Sequence, residues 1–320
     1  IGDTLDPSSL YLHAGPAIHT SGLFTLPMLQ AGVAQQMLDH ARPERIVETI
    51  RDLRVTHLAV VPTVVAALTE VAASQRSHLD SVRMLAYAGA PMQTPQMRAA
   101  LESLTPHLVQ YYGLIEAMPP LSVLTADDHA RAVSGRPDLL TSAGRVVASI
   151  DLRVDEGRDE ICVRGDAVTP GYWNAESRDD LGKAIADGWL ETGDLGRVEK
   201  GYLWITDRRS DMIISGGYNI FPSEVENAVS TVAGVTRCAA VGLPDSTWGQ
   251  RLVVGYQTSS GTHVADNALV EACRTLAPHK RPKEFVVLPE VPLGATGKVD
   301  RRAVASRLAA AKGAEPSIRQ

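Results

Sequence analysis

The chain has 320 residues, 44% apolar and 21% charged, and 31 basic against 37 acidic side chains give a net charge of −6. That length supports two domains with real cores, and the lack of a basic block argues against nucleic acid as a partner. Cys162, Cys238 and Cys273 are odd in number and far apart, which fits reduced thiols in a cytoplasmic protein, and no transmembrane segment or signal peptide is visible.

The chain starts at Ile1 and reads as the later portion of a longer one. Residues 10–14 predict a buried strand ended by Gly15-Pro16. His19, Thr20, Ser21 and Gly22 form a loop entering an apolar helix over 23–29. His19 either lines a ligand cleft or is a capping or core residue. Pro43 opens a helix whose apolar residues Ile46, Val47, Ile50 and Leu53 share one face. Strands over 58–61, 84–87 and 108–111 alternate with helices over 63–73 and 95–104, which implies a parallel sheet covered on both faces. Ligands bind such sheets at the carboxyl ends of the strands. Two loops are expected there: Gly89-Ala90-Pro91, and Tyr112, Gly113, Leu114, Ile115 and Glu116. Tyr112 can stack on an aromatic ring and Glu116 can hold a hard cation; the alternatives are an ordinary turn and an exposed acid.

From 121 to 206 the helical period fades, and β runs at 150–154, 160–163 and 202–205 predict a β-rich region. Gly171-Tyr172-Trp173-Asn174 reads as an aromatic turn. Thr192-Gly193-Asp194 reads as an acidic turn, with Asp194 a candidate for a ribose diol, because one carboxylate can accept two neighbouring hydroxyl hydrogens. After a charged junction comes a separate small unit. Its helices are marked by Val225, Ala228, Val229 and Val232, by Leu269, Val270, Cys273 and Leu276, and by a last stretch from Arg301. Its strands fall at 235–242, 252–257 and 284–288. Lys298, on a glycine loop, either reaches another domain's cleft as a mobile cation or is a solvated helix start. The expected fold class is α/β. A large N-terminal domain over 1–207, incomplete at its start, has parallel α/β layers over 1–120 and a β-rich subdomain over 121–207. A hinge follows at 208–211, then a small mobile α+β C-terminal domain over 212–320.

Seven stretches, PAIHTSG, YAGAPM, QYYGLIEA, GYWN, WLETGDLG, DRRSDMIISGGYNIFPSEVE and VPLGATGKVDRR, taken in order, resemble the motifs of the adenylate-forming (AMP-binding) superfamily. The wording is nearest to acyl-CoA synthetases, also called fatty-acid–CoA ligases. The resemblance implies an ATP-dependent, AMP-forming ligase. A carboxylic acid attacks the α-phosphate of ATP to give acyl-AMP, and a thiol, usually CoA, then displaces AMP. It implies that Gly89, Ala90 and Pro91 hold the adenine with Tyr112 stacking on it, and that Gly113 and Ile115 line the nucleotide site. Glu116 would bind Mg²⁺, Asp194 the ribose hydroxyls, and Arg208 the ribose or phosphate. Lys298 would neutralise the α-phosphate and the substrate carboxylate. His19 and Tyr111 would flank the acyl pocket, Arg209 and Ser210 would form the hinge, and Ser215, Gly216 and Gly217 would line the CoA channel once the small domain swings.

Three departures follow from the same comparison. The family's Ser/Thr/Gly-rich phosphate loop is expected upstream of residue 1, so residues 1–320 alone are not expected to adenylate. Ile115 replaces a threonine whose hydrogen bond to phosphate would be worth about 1.5–3 kcal/mol. Tyr111 replaces a frequent glycine, which favours a small or unusual acid over a long chain. Two other readings share these residues: an acyl-AMP ligase loading a carrier protein, and a non-catalytic nucleotide-binding homologue.

Overall fold

The computed structural model describes residues 5–39, 41–75, 79–171, 185–259, 262, 264–294 and 297–313. They form two compact units, Ile1–Ile205 and Thr206–Gln320. The aromatic turn read at Tyr172, Trp173 and Asn174 lies outside the described residues.

In the first unit, β1 (Leu10–His13), β2 (Ala34–Met37), β3 (His57–Val60), β4 (Met84–Ala88) and β5 (Leu108–Leu114) lie side by side in the order β2-β1-β3-β4-β5, all parallel. Alternation along β4 explains the layering. Leu85 and Tyr87 enter the core shared with α2 (Pro43–Leu53), α3 (Pro62–Gln75) and α4 (Thr94–Ser103), whereas Met84 and Ala86 face the opposite cluster with Phe24 and Met28. The second cluster is supplied by a 3₁₀ turn, Thr20–Phe24, running into α1 (Thr25–Gln30). The expected loop at His19 to Gly22 is therefore helical, with His19 as its N-cap residue. In α2, Ile46, Val47 and Ile50 are buried as expected, but Leu53, in its last turn, is exposed.

β5 runs through Leu114 and pairs antiparallel with β6 (Ala117–Leu124), with Leu114 opposite Ala117. Tyr112 and Gly113 consequently sit on a strand, and the expected loop shrinks to a two-residue turn, Ile115-Glu116. Beyond it the sheet continues through β7 (Gly144–Val146), β12 (Tyr202–Arg208), β11 (Trp189–Glu199), β9 (Glu160–Arg164) and β8 (Asp151–Val154), with β10 (Ile185–Ala186) on β11. This region is strand-rich but also holds a helix that the sequence reading missed, α5 (Ala126–Ser134). A capping box closes its N-terminus: Thr125 Oγ1 accepts from the Asp128 amide, and the Asp128 carboxylate accepts from the Thr125 amide.

The second unit is a sheet in the order β14-β13-β16-β15 (Tyr218–Ile220, Ile213–Ser215, Gly249–Thr258, Val235–Asp245), with β17 (Glu284–Val287) parallel to β16. Both faces of β15 are covered. Cys238 and Ala240 pack with Val225 and Val229 of α6 (Pro222–Ser230) and Leu269 of α7 (Asp266–Ala272). Ala239 and Val241 pack with Val304 and Leu308 of α8 (Arg301–Gly313). Val270, expected on the apolar face of α7, is exposed. Among the described residues no helix is long and apolar enough to cross a membrane.

Candidate active site

The parallel strands end along one edge of the first sheet. Ala88 pairs with Tyr111, so the chain leaves β4 into Gly89, Ala90 and Pro91 beside the point where β5 reaches Tyr112. Gly89 and Pro91 are exposed and Ala90 half-buried. The Tyr112 hydroxyl donates to Asp194 Oδ2 at 2.8 Å, across 82 positions of sequence. Asp194 is only 5% exposed. It owes its position to a bulge rather than the expected turn: β11 shifts register against β9 between Glu191 and Leu195, and Gly193 takes a φ of +74°, a backbone region that disfavours side chains. The bulge is fixed on both sides. Gly193 N donates to Glu160 Oε1 at 3.1 Å, Thr192 Oγ1 donates to Ile161 O at 2.8 Å, and Asp194 N donates to Thr192 Oγ1 at 3.1 Å. An aromatic face and a carboxylate one hydrogen bond apart suit a ligand with a flat ring next to a vicinal diol.

Glu116 is half-buried and Ile115 is 87% exposed in the β5–β6 turn. The turn is tied down by Thr169 N donating to Glu116 O at 2.8 Å and by a bridge between Ala117 and Val168. Among the described residues no three His, Cys, Asp or Glu assemble into a metal site. A hard cation at Glu116 would draw most of its oxygen ligands from a bound phosphate. Tyr111 packs its ring edge-on against Phe24, centroids 5.5 Å apart, and burial pushes its phenol up to about 12, so it is a neutral wall. His19 is half-buried, with Nδ1 3.3 Å from Thr20 Oγ1. The sequence reading overlooked what holds that turn. Buried His13 contacts Ser21 Oγ at 3.1 Å and Gln35 Oε1 at 2.7 Å, Tyr11 donates to Ser21 O, and Gln35 Nε2 donates to Thr25 O. These contacts join residues 8 to 22 positions apart, and the β1–β2 pairing together with the turn after β1 brings them together.

In the second unit, Arg208 ends β12, and Arg209 and Ser210 lie in a 3₁₀ turn, Arg209–Asp211; Arg208, Arg209 and Ser210 are exposed. Buried Asp207 anchors this junction, accepting from the Arg208 amide at 2.8 Å and from the Ser223 amide of α6 at 2.9 Å. Ser215, buried, ends β13 in a hairpin whose two turn residues are Gly216 and Gly217, not an open loop. Their φ values of +59° and +81° match the type I′ turn, which needs positive φ at both positions. A Cβ on Gly216 would come 2.8 Å from the Trp248 ring, while one on Gly217 meets nothing within 4 Å. Lys283 Nζ lies 4.8 Å from the centre of the Trp248 ring. Lys298 is exposed. Its carbonyl accepts from Gly294 N at 2.7 Å, Leu293 pairs with Val299, and Asp300 N donates to Pro292 O at 2.9 Å, so the loop is pinned shut at its base.

Beneath the junction lies a half-buried acid that the sequence reading did not single out. Glu226 accepts from Arg301 Nη2 and from the Ala240 amide, both at 2.9 Å, with Asp207 and Asp211 also close. Burial pushes its carboxyl up to about 7 even with Arg301 beside it. The folded protein thus holds this proton more tightly than the unfolded chain, and the stability it contributes is present below about pH 4.5 and lost as pH rises through about 7. Between pH 5 and 8, the unfolding free energy of wild type minus that of Glu226→Gln should fall by about 1–3 kcal/mol. Denaturant titrations at several pH values measure it, and a rising difference would mean that Arg301 keeps the carboxylate ionised.

Residues 2–173 match the AMP-binding enzyme family and residues 224–298 match the AMP-binding enzyme C-terminal domain. The chain belongs to the AMP-binding enzyme family. A relative in it is the medium/long-chain-fatty-acid–CoA ligase FadD8 of Mycobacterium tuberculosis, 30% identical over 315 residues, covering 93% of this chain and 54% of that protein. Among solved members, the amide bond synthetase McbA of Marinactinospora thermotolerans superposes with a TM-score of 0.85 at 28% identity, over 95% of this chain and 62% of its own. The o-succinylbenzoate CoA synthetase MenE of Bacillus subtilis, in complex with its acyl-adenylate intermediate, gives 0.78 at 28% identity, over 94% of this chain and 61% of its own. The chain therefore spans little more than half the length of the AMP-binding enzymes it matches.

Proposed function

We propose that this chain belongs to an ATP-dependent, AMP-forming acid–thiol ligase that activates a carboxylic acid as acyl-AMP and transfers the acyl group to CoA. The observation that carries the reading is the Tyr112–Asp194 hydrogen bond, which sets a ring and a carboxylate side by side as the purine and ribose of a nucleotide require. Tyr112 stacks on the adenine beside Gly89, Ala90 and Pro91. Asp194 accepts from the ribose hydroxyls, and Arg208 assists at ribose or phosphate. Gly113 and Ile115 line the same site, and Glu116 holds Mg²⁺, which when bound neutralises phosphate charge. Lys298 places its ammonium between the α-phosphate and the acid. His19 and Tyr111 border the acid, and the Tyr111–Phe24 wall favours a short acid. Arg209 and Ser210 serve as hinge, and Ser215, Gly216 and Gly217 line the thiol path. Its three cysteines, odd in number and far apart in sequence, suit a cytoplasmic location.

The test is release of pyrophosphate that depends on an added carboxylic acid, in the natural polypeptide containing residues 1–320, across a panel from acetate to long-chain and aryl acids. Stoichiometric AMP on adding CoA is the expected second step. McbA's fit at a TM-score of 0.85 favours one further acceptor, an amine, so parallel reactions offer an amine and a phosphopantetheine carrier protein. Tight binding of an acyl-AMP mimic with no turnover of any acid would instead make the protein a non-catalytic nucleotide binder.

A further inference from the structure

Arg301 is the first residue of α8 and stands three positions after Lys298. Its guanidinium reaches two carboxylates on different elements. Nη2 donates to Glu226 Oε2 of α6 at 2.9 Å, and Nε lies 3.9 Å from Asp211 Oδ2 in the junction turn. That Nε is buried and makes no hydrogen bond among the described residues. A buried N–H left without an acceptor is costly, so a small approach of Asp211 would be favoured. Glu226 cannot drift to relieve it, because its other oxygen accepts from Ala240 N of β15 at 2.9 Å. The backbone on the other side is just as constrained. Between Lys298 and Arg301, Val299 pairs with Leu293, Asp300 N donates to Pro292 O, and Asp300 Oδ1 accepts from Ala303 N at 2.9 Å to cap the helix. The backbone between Arg301 and the loop that carries Lys298 is thus bonded at three points.

We propose that Arg301 is a positioning residue that couples the junction turn Arg209–Asp211 to the Lys298 loop, with Glu226 as its fixed support and Asp211 as the partner gained or lost as the turn changes conformation. The proposal rests on the role given to Lys298 above. It differs from a plain structural ion pair, which would tie α8 to α6 and leave the junction indifferent. A guanidinium can serve both carboxylates through its fork, whereas a lysine ammonium can satisfy only one at this spacing.

The test combines amide hydrogen exchange with kinetics on the natural polypeptide, using Arg301→Ala, Arg301→Lys and Asp211→Asn. Arg301→Ala should speed exchange about tenfold in both 206–213 and 292–300 while strands 235–258 keep their protection. Arg301→Lys, which can hold Glu226 but not Asp211 as well, should leave 206–213 as loose as Arg301→Ala does and restore 292–300 only to the level of Asp211→Asn. Asp211→Asn, which leaves the loop's own bonds intact, should still loosen 292–300. In kinetics, Arg301→Ala should lower kcat for pyrophosphate release about tenfold at unchanged KM for ATP, with thioester formation from preformed acyl-AMP unaffected. The coupling is overturned if Asp211→Asn leaves 292–300 unchanged or if Arg301→Ala loosens 235–258 equally. If wild type turns over but Arg301→Ala does not slow adenylation, Arg301 does not position Lys298. If wild type turns over no acid at all, the proposed activity fails, and the exchange arm still decides the coupling.

Discussion

Replacing Lys298 by Ala is expected to slow acid-dependent pyrophosphate release by about 10²–10³-fold, the usual effect of removing one group aimed at developing charge in a transition state. Thioester formation from preformed acyl-AMP and CoA should stay within about threefold of wild type. The asymmetry follows from charge. In the first half-reaction a carboxylate approaches a phosphate, and two anions must meet before any bond forms, so a cation between them lowers the barrier directly. In the second, a thiol attacks a carbonyl that already carries a good leaving group, and no such cation is needed at the α-phosphate. The fold should tolerate the change. Lys298 is exposed, and the loop is held by backbone bonds from Gly294 N to Lys298 O and from Asp300 N to Pro292 O, which alanine leaves in place. Thermal unfolding should therefore match wild type, since exposed substitutions of this kind usually fall within about 0.5 kcal/mol. Equal loss in both half-reactions would place Lys298 in scaffolding rather than in adenylation.

The layered half of the first unit was legible because its physics is local. β3 and β4 are continuous buried runs, and α2 keeps Ile46, Val47 and Ile50 on one face. What stayed hidden lacks such a signature. β2 is Ala34, Gln35, Gln36 and Met37, an edge strand that exists because β1 offers it a ladder, not because its residues alternate. α5 buries only Asp128, His129 and Ala132, too little to show a helical period, although Thr125 and Asp128 carried its capping signal. Glycine misled twice: Gly113 looked like a loop and lies on a strand, and Gly193 looked like a turn and makes a bulge. For the candidate site, residue types in order pointed to Tyr112 and Asp194, but not to the bond between them, which needs β5 and β11 brought close by the rest of the sheet. Glu226 and Arg301 escaped because a charge on a helix ordinarily reads as solvated, and only the tertiary fold pairs and half-buries them.

Asp194→Asn is expected to weaken AMP binding by about 10–100-fold, since hydrogen bonds to a charged group are worth about 1.5–3 kcal/mol and each 1.4 kcal/mol is tenfold. Tyr112→Phe keeps the ring and loses only the hydroxyl that donates to Asp194 Oδ2, so about two- to tenfold is expected. Asn preserves the shape of a side chain that is 5% exposed, which separates lost charge from lost packing. Calorimetry with AMP and with 2′,3′-dideoxy-AMP makes the assignment specific. Removing the diol should cost wild type nearly what Asp194→Asn costs, and should cost the Asn variant little more. The Tyr112 and Asp194 substitutions should also be non-additive, because each disturbs the same hydrogen bond. If the dideoxy penalty persists undiminished in Asp194→Asn, the carboxylate does not face the ribose. The Tyr112–Asp194 pair would then be a strut between β5 and β11, and the nucleotide reading would have to rest on the Lys298 loop alone.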